Sequence, residues 1–114
     1  MHELSLTQSL IDIVEDYARR DGFGRVNVLR LSFGRLSCID PGALEFAFDI
    51  QSRGTKAQGA RLKFDIRPTV LYCTHCKQET LSEGFQPLCP LCGGGDIILS
   101  GGMEELKLLE MDVD

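Results

Sequence analysis

The sequence predicts an α+β protein: a small βαβ-containing sheet with two helices, plus an inserted zinc-ribbon module. Three observations predict it. Apolar residues recur at three- and four-residue spacing in two segments, they alternate with polar residues in others, and two C-x2-C pairs stand late in the chain. A chain of 114 residues and 12.6 kDa has room for one ordinary core and one metal-stapled module, but not for two independent hydrophobic domains. Hydrophobic residues at 43% and charged residues at 25% are ordinary for a folded protein, which argues against wholesale disorder and against a coiled-coil rod.

Residues 6 to 20 place Leu6, Leu10, Ile13, Val14 and Tyr17 on one stripe, with Asp12, Glu15, Asp16, Arg19 and Arg20 mostly elsewhere around the helix. Ser5 or Thr7 is expected to cap its start, and Gly22 or Gly24 to supply the left-handed residue that ends it. From Arg25 to Phe33 the period becomes two, with Asn27, Leu29, Leu31 and Phe33 on the face expected to be buried and Val26, Val28 and Arg30 on the other. Asp40-Pro41 opens a second helix running to about Arg53, because the Asp side chain accepts from an early N–H and Pro at the first helical position loses no needed donor. Its stripe is Leu44, Ala47, Phe48 and Gln51, widened by Phe46 and Ile50, and Gly54 is placed as the stop. Leu62, Phe64 and Ile66 then alternate with Arg61, Lys63, Asp65 and Arg67 in a strand ending near Pro68. Strand, helix and strand in this order imply a right-handed crossover between parallel neighbours. Ile97 to Leu99, the Gly101-Gly102 turn and Leu106 to Val113 suggest a hairpin whose last strand returns to the first sheet, although Leu108 beside Leu109 blurs which side faces inward.

The formal charge is -5, from 12 Lys plus Arg against 17 Asp plus Glu, so the chain lacks the basic face that phosphate-driven nucleic-acid binding needs. No apolar run approaches membrane-spanning length, and Glu3, Asp12, Glu15 and Asp16 interrupt the first twenty residues, so no signal peptide is expected there. The expected location is the cytoplasm. Five cysteines in such a compartment are poor candidates for a disulfide framework.

Four of them form a pattern. Cys73-Thr-His-Cys76 and Cys89-Pro-Leu-Cys92 are separated by twelve residues, which is zinc-ribbon spacing: each pair brings two thiolates to one side of a metal, and the loop lets the pairs close a tetrahedron. Four thiolates fill the coordination sphere, so such a site is structural. Gly93, Gly94 and Gly95 allow a tight turn behind the second pair. Redox dithiols and iron-sulfur ligation are the competing readings, and His75 stands inside the first pair as an alternative ligand left outside the zinc shell. Cys38 stands alone before the second helix and reads as a small buried hydrophobe. Between Cys73 and Cys92 one base, Lys77, faces Glu79 and Glu83, so the ribbon is not a basic nucleic-acid grip. No Ser/His/Asp set and no P-loop is present, which points away from an enzyme.

The start Met1-His2-Glu3 offers a second metal site. The terminal amine, the His2 imidazole and the neighbouring amide nitrogens lie within chelating reach of one ion, and Ni(II) or Cu(II) favours several nitrogen donors in a plane. The bland alternative is a His that falls by accident at a chain end.

Taken together, Met-His-Glu-Leu-Ser, an amphipathic helix, a βαβ unit with Phe33-Gly34 before its second helix, and the late ribbon resemble the HypA/HybF family of nickel metallochaperones. The resemblance covers essentially the whole chain. It implies delivery of Ni2+ to the NiFe hydrogenase large subunit during maturation, in company with a HypB-type nickel GTPase. It implies His2 as the essential nickel ligand, with the Met1 amine and the His2 and Glu3 amides as companions, and Glu3 as important either through its amide or through a carboxylate near the ion. It implies Cys73, Cys76, Cys89 and Cys92 as ligands of a structural Zn2+. Nothing in the chain separates hydrogenase from urease service, so urease maturation proteins stand among the implied partners, with no nucleic acid and no membrane. The corresponding domains are a nickel-binding α/β domain at 1–68, completed by a C-terminal strand at 103–114, and a zinc-ribbon domain at 69–102. The alternative is a zinc-ribbon protein–protein adaptor that never handles nickel.

Overall fold

The computed structural model describes residues 3–84 and 86–114. Two helices and six strands follow in the order α1 (Glu3–Asp21), β1 (Val26–Gly34), α2 (Pro41–Gln51), β2 (Arg61–Arg67), β3 (Thr69–Cys73), β4 (Gln78–Ser82), β5 (Ile97–Gly101) and β6 (Lys107–Val113). They form two compact units. One comprises residues 1–32, 39–65 and 106–114, the other residues 33–38 and 66–105.

In the first unit α1 begins at Glu3, so Ser5 and Thr7 lie inside the helix rather than at its cap. Glu3 in the first turn and Arg19 and Arg20 in the last complement the helix dipole. The buried side is Thr7, Leu10, Ile11, Val14 and Ala18. Ile13 and Tyr17, expected in the core stripe, are instead exposed, and Arg20 stacks 4.6 Å from the Tyr17 ring centroid. The apolar arc on this helix is wider than what its neighbours cover, so the covered part is rotated towards Ile11 and Ala18. Thr7 enters the core because its single hydroxyl proton has an acceptor in reach, the Leu4 carbonyl or Gln51 Oε1 on α2.

Asp40 caps α2 as the sequence indicates, accepting from Gly42 N at 3.0 Å and Ala43 N at 3.4 Å. The helix ends at Gln51, two residues before the expected Arg53, with the Ser52 N–H donating to Phe48 O. Leu44, Ala47 and Phe48 are buried, but Phe46 and Ile50 do not widen the core face: both are exposed. The core joins Leu10, Ile11 and Val14 to Val26, Leu29, Leu31, Leu44, Phe48 and Leu62. Fully burying a Leu or Phe side chain is worth about 1.5–3 kcal/mol.

The first sheet has the order β2-β1-β6. Arg35 N, just past the end of β1, donates to the O of Arg67, the last residue of β2, and Val26 N at the start of β1 to Lys56 O ahead of β2, so like ends lie together as a parallel crossover requires. β6 pairs antiparallel with β1, Leu29 facing Met111 and Leu31 facing Leu108. A register shift between Arg30 and Leu31 leaves Leu109 opposite no partner. That bulge resolves the Leu108-Leu109 ambiguity: Leu108 is half-buried and Leu109 exposed. A second shift between Val26 and Val28 puts Val26 in the core, while Asn27 is only half-buried and donates to the Asp114 carboxylate.

In the second unit the sheet order is β4-β3-β5, with both pairings antiparallel. β3 and β4 are regular strands in a stretch where the sequence announces only the cysteine motif. The hairpin expected between β5 and β6 does not form, because β5 pairs with β3 and β6 with β1. A two-stranded ribbon is marginal alone, and each strand gains more by completing a three-stranded sheet. The chain leaves β5 through Gly102, whose carbonyl accepts from Leu36 N at 2.7 Å. Gly34 N donates to Glu104 O at 2.9 Å, and a Cβ on Gly34 would overlap the Gly102 carbonyl, so this close approach requires glycine. Cys38, expected to be buried, is exposed and has a left-handed φ of 65°. Its position in the irregular segment before the Asp40 cap, rather than in a strand or helix, keeps it out of the core.

Candidate metal centre

Cys73 ends β3, and the chain reverses over Thr74-His75 before β4, so Cys76 returns beside it. Cys89 and Cys92 lie in the loop between β4 and β5, and the two C-x2-C turns are built alike. Lys77 N donates to Cys73 O at 2.8 Å, and Gly93 N to Cys89 O at 2.8 Å. The residue after each second cysteine is left-handed, with φ of 58° at Lys77 and 75° at Gly93. Within each turn amides point at sulfur: Cys76 N at 3.4 Å from Cys73 Sγ, and Leu91 N and Cys92 N each at 3.4 Å from Cys89 Sγ. Thr74 N donates to Asp96 O at 2.8 Å, which ties the first turn to the start of β5. Lys77 is the part of this architecture that the sequence did not announce, since a lysine carries no signal for a left-handed backbone.

All four sulfurs lie within 4.8 Å of one another. Cys73 and Cys92 Sγ are 3.6 Å apart, and Cys76 and Cys89 Sγ 3.8 Å. These separations exclude disulfides, whose S–S length is about 2.05 Å. They match the roughly 3.8 Å edge of a tetrahedron with metal–sulfur distances of about 2.3 Å. The donor set therefore fits one tetrahedral metal ion. Among the described residues this is the group of His, Cys, Asp or Glu with metal-binding geometry, and exposed His75 is not in it.

The sulfurs differ in how they hold protons. Burial, followed by the neighbouring sulfurs of Cys73, Cys89 and Cys92, pushes the Cys76 thiol up to about 12. Cys89 is lowered to about 6, chiefly by the Cys92 N–H donated to its sulfur, with the Leu91 N–H adding to it against the opposing effect of burial. For Cys92 the Gly94 N–H acts to lower the thiol, but burial and the neighbouring sulfurs of Cys73 and Cys89 outweigh it and the net shift is upward. The cluster does not hold four negative charges by itself, and a divalent cation bound there would supply the missing compensation.

Of the residues at the other candidate site, Met1 and His2 lie outside the described residues. Glu3 is the first residue of α1 and is half-buried. Among the described residues no helix is long and apolar enough to cross a membrane.

The family model described as "Hydrogenase/urease nickel incorporation, metallochaperone, hypA" matches residues 1–113. A hydrogenase maturation factor HypA from Syntrophus aciditrophicus (strain SB) is 54% identical over 114 residues, covering 100% of both chains. Another from Cereibacter sphaeroides is 46% identical over 114 residues, covering 99% of each. The solution structure of the Ni metallochaperone HypA from Helicobacter pylori superposes with a TM-score of 0.64 at 21% identity, covering 99% of this chain and 97% of that one, and so shares the fold. Such proteins are metallochaperones and maturation factors rather than catalytic enzymes. With the match running over essentially the whole length and the four sulfurs set for one metal ion, the chain belongs to the HypA family of hydrogenase/urease nickel-incorporation metallochaperones.

Proposed function

We propose that the chain carries nickel at its amino terminus and delivers it to the NiFe hydrogenase large subunit during maturation, while Cys73, Cys76, Cys89 and Cys92 hold a permanent structural Zn2+. The match to the nickel-incorporation family over residues 1–113 is the observation that carries this reading. The nickel ligands are the Met1 amine, the His2 imidazole and the amides of His2 and Glu3, with the Glu3 carboxylate nearby. The start of α1 at Glu3 supports this choice, since the first N–H groups of a helix have no intrahelical acceptor. A metal can take the Glu3 amide nitrogen without breaking a helical hydrogen bond. The amine, with an ordinary pKa of about 7.7–8.0, and the imidazole, at about 6.5, become free bases near neutrality. Binding strengthens as pH rises and is reversed by proton competition, which suits a cargo site. A HypB-type nickel GTPase and the large subunit are the proposed partners, with the acidic Glu15/Asp16 side of α1 as the dock for the GTPase; urease maturation proteins are further partners of the same type. The cytoplasm is the proposed compartment. The residues at 1–68 with 103–114 act as the nickel domain and 69–102 as the zinc domain.

Calorimetry with Ni(II) in a non-chelating buffer tests the site. The native terminus is expected to bind one nickel, whereas a Gly-Ser extension ahead of Met1 and the substitution His2→Ala each abolish that binding without changing zinc content. An extended chain that binds as tightly as the native one excludes the amine as ligand. Unchanged binding by His2→Ala excludes the terminal site and moves it towards His75 or the cysteines, whereas a native chain that binds no nickel favours the adaptor reading.

A further inference from the structure

The two sides of α2 meet different surroundings. Phe48 is 3% exposed, but Phe46 is 70% and Ile50 45% exposed. Phe46 and Ile50 stand one turn apart and form a single apolar ridge. Beside them, also one turn apart, run Glu45 and Asp49. These carboxylates help to line a groove of about 250 Å3, together with Phe48, Ser52, Arg61 and Leu62. Glu45 makes no ion pair or side-chain hydrogen bond among the described residues, and the Asp49 carboxylate meets only Arg53, at 3.6 Å between highly exposed side chains. Such a pair is easily exchanged for another cation.

We propose that this ridge and groove dock a basic amphipathic helix of a partner protein. An apolar side chain of that helix covers Phe46 and Ile50, and a neighbouring Lys or Arg lays its aliphatic stem along Phe48 and Leu62 with its charge at Glu45 and Asp49. The sign of the partner follows from the lining, where two carboxylates face one guanidinium, Arg61, and from a net charge of -5 that draws basic surfaces in. Arg61 confines the incoming cation to the α2 side of the groove. The size of the groove suits one long side chain and falls below the roughly 300–1,000 Å3 of small-molecule pockets. An exposed aromatic on a rigid helix is also the type of residue that anchors interfaces. The inference does not depend on nickel binding.

Two synthetic peptides of about 18 residues, long enough to form helix, test it; both carry Leu at i, i+3, i+4 and i+7, and they differ only in having Lys or Glu beside that stripe. Each is titrated into the full chain while backbone amide resonances are followed. The Lys peptide is expected to shift residues 45–50 and 59–62 saturably, and the Glu peptide to bind at least about tenfold more weakly. Phe46→Ser and Glu45→Lys, both at exposed positions, should each weaken the Lys peptide about tenfold with an unchanged circular dichroism spectrum. Arg61→Ala should tighten it, and Leu81→Ser, at an exposed site in the other unit, should leave it alone. Absent binding, equal binding of the two peptides, or shifts confined to other residues would overturn the proposal. So would a native chain that sediments as a dimer and becomes monomeric on Phe46→Ser, since a second copy would then cover this face.

Discussion

Cys89 and Cys76 share one sulfur cluster, with Sγ atoms 3.8 Å apart, yet without metal the Cys89 thiol is lowered to about 6 and the Cys76 thiol pushed up to about 12. The difference comes from backbone geometry: two amides aim at Cys89 Sγ, whereas Cys76 is dominated by burial and by sulfur neighbours. A pH dependence of metal loading follows. Binding to four thiolates must displace the protons of Cys76 and Cys92, so apparent affinity falls on acidification. Below about 6, where Cys89 is also protonated, one more proton must leave and the fall steepens. Zinc competition against a chelator of known pH behaviour, run from about pH 5 to 8 to bracket that value, measures the slope. A plot that does not bend would show that the Leu91 and Cys92 amides do not act on Cys89 as their geometry implies.

At the scale of one helix, α2 separates stability from surface chemistry over three residues. Phe48→Ala removes a ring that is 3% exposed, and the expected loss is about 3–5 kcal/mol. Phe46→Ser removes a ring that is 70% exposed, and the expected change is within about 0.5 kcal/mol. Denaturant unfolding of the two variants checks the contrast. A large loss for Phe46→Ser would mean that this ring supports the fold and is not available to a partner. α1 shows the same separation, with Ile11 at 3% and Ile13 at 41% exposure. In both helices the apolar arc in the sequence is wider than the surface its neighbours cover.

Across the whole molecule the two units rest on different sources of stability. The first has a continuous apolar core from Leu10 to Leu62. The second, residues 33–38 and 66–105, buries Phe33, Leu71 and Thr69 with two of the four cysteines. A module with so few large buried side chains is expected to depend on a metal at its four cysteines, and structural zinc contributes about 10–16 kcal/mol in comparable small modules. Chelation of the metal is expected to erase amide protection across β3, β4 and β5 while α1, α2 and the centre of β1 keep theirs. Hydrogen exchange followed residue by residue reads this directly. Equal loss in both units would show that the first does not stand on its own core.

What the sequence by itself determined are the features whose energy is local. Asp40-Pro41 caps α2 because the acceptor and its donors lie within three residues. The C-x2-C pairs close their turns over four residues, and their separation already specified a four-sulfur site. Two parallel strands joined through α2 were also legible, since periods of two and 3.6 survive in any environment that buries one face. Tertiary structure alone decided which part of each apolar arc is covered: Ile11 over Ile13, Phe48 over Phe46. It also sent β5 to β3 rather than into a hairpin with β6, put the bulge at Leu109, and left Cys38 outside, whereas the return of the last strand to the first sheet was already expected. The physical reason is range. A strand of five residues pairs equally well in principle with any free edge, and an apolar residue at the margin of a stripe is buried only where another element comes to meet it, so both outcomes depend on segments many residues away.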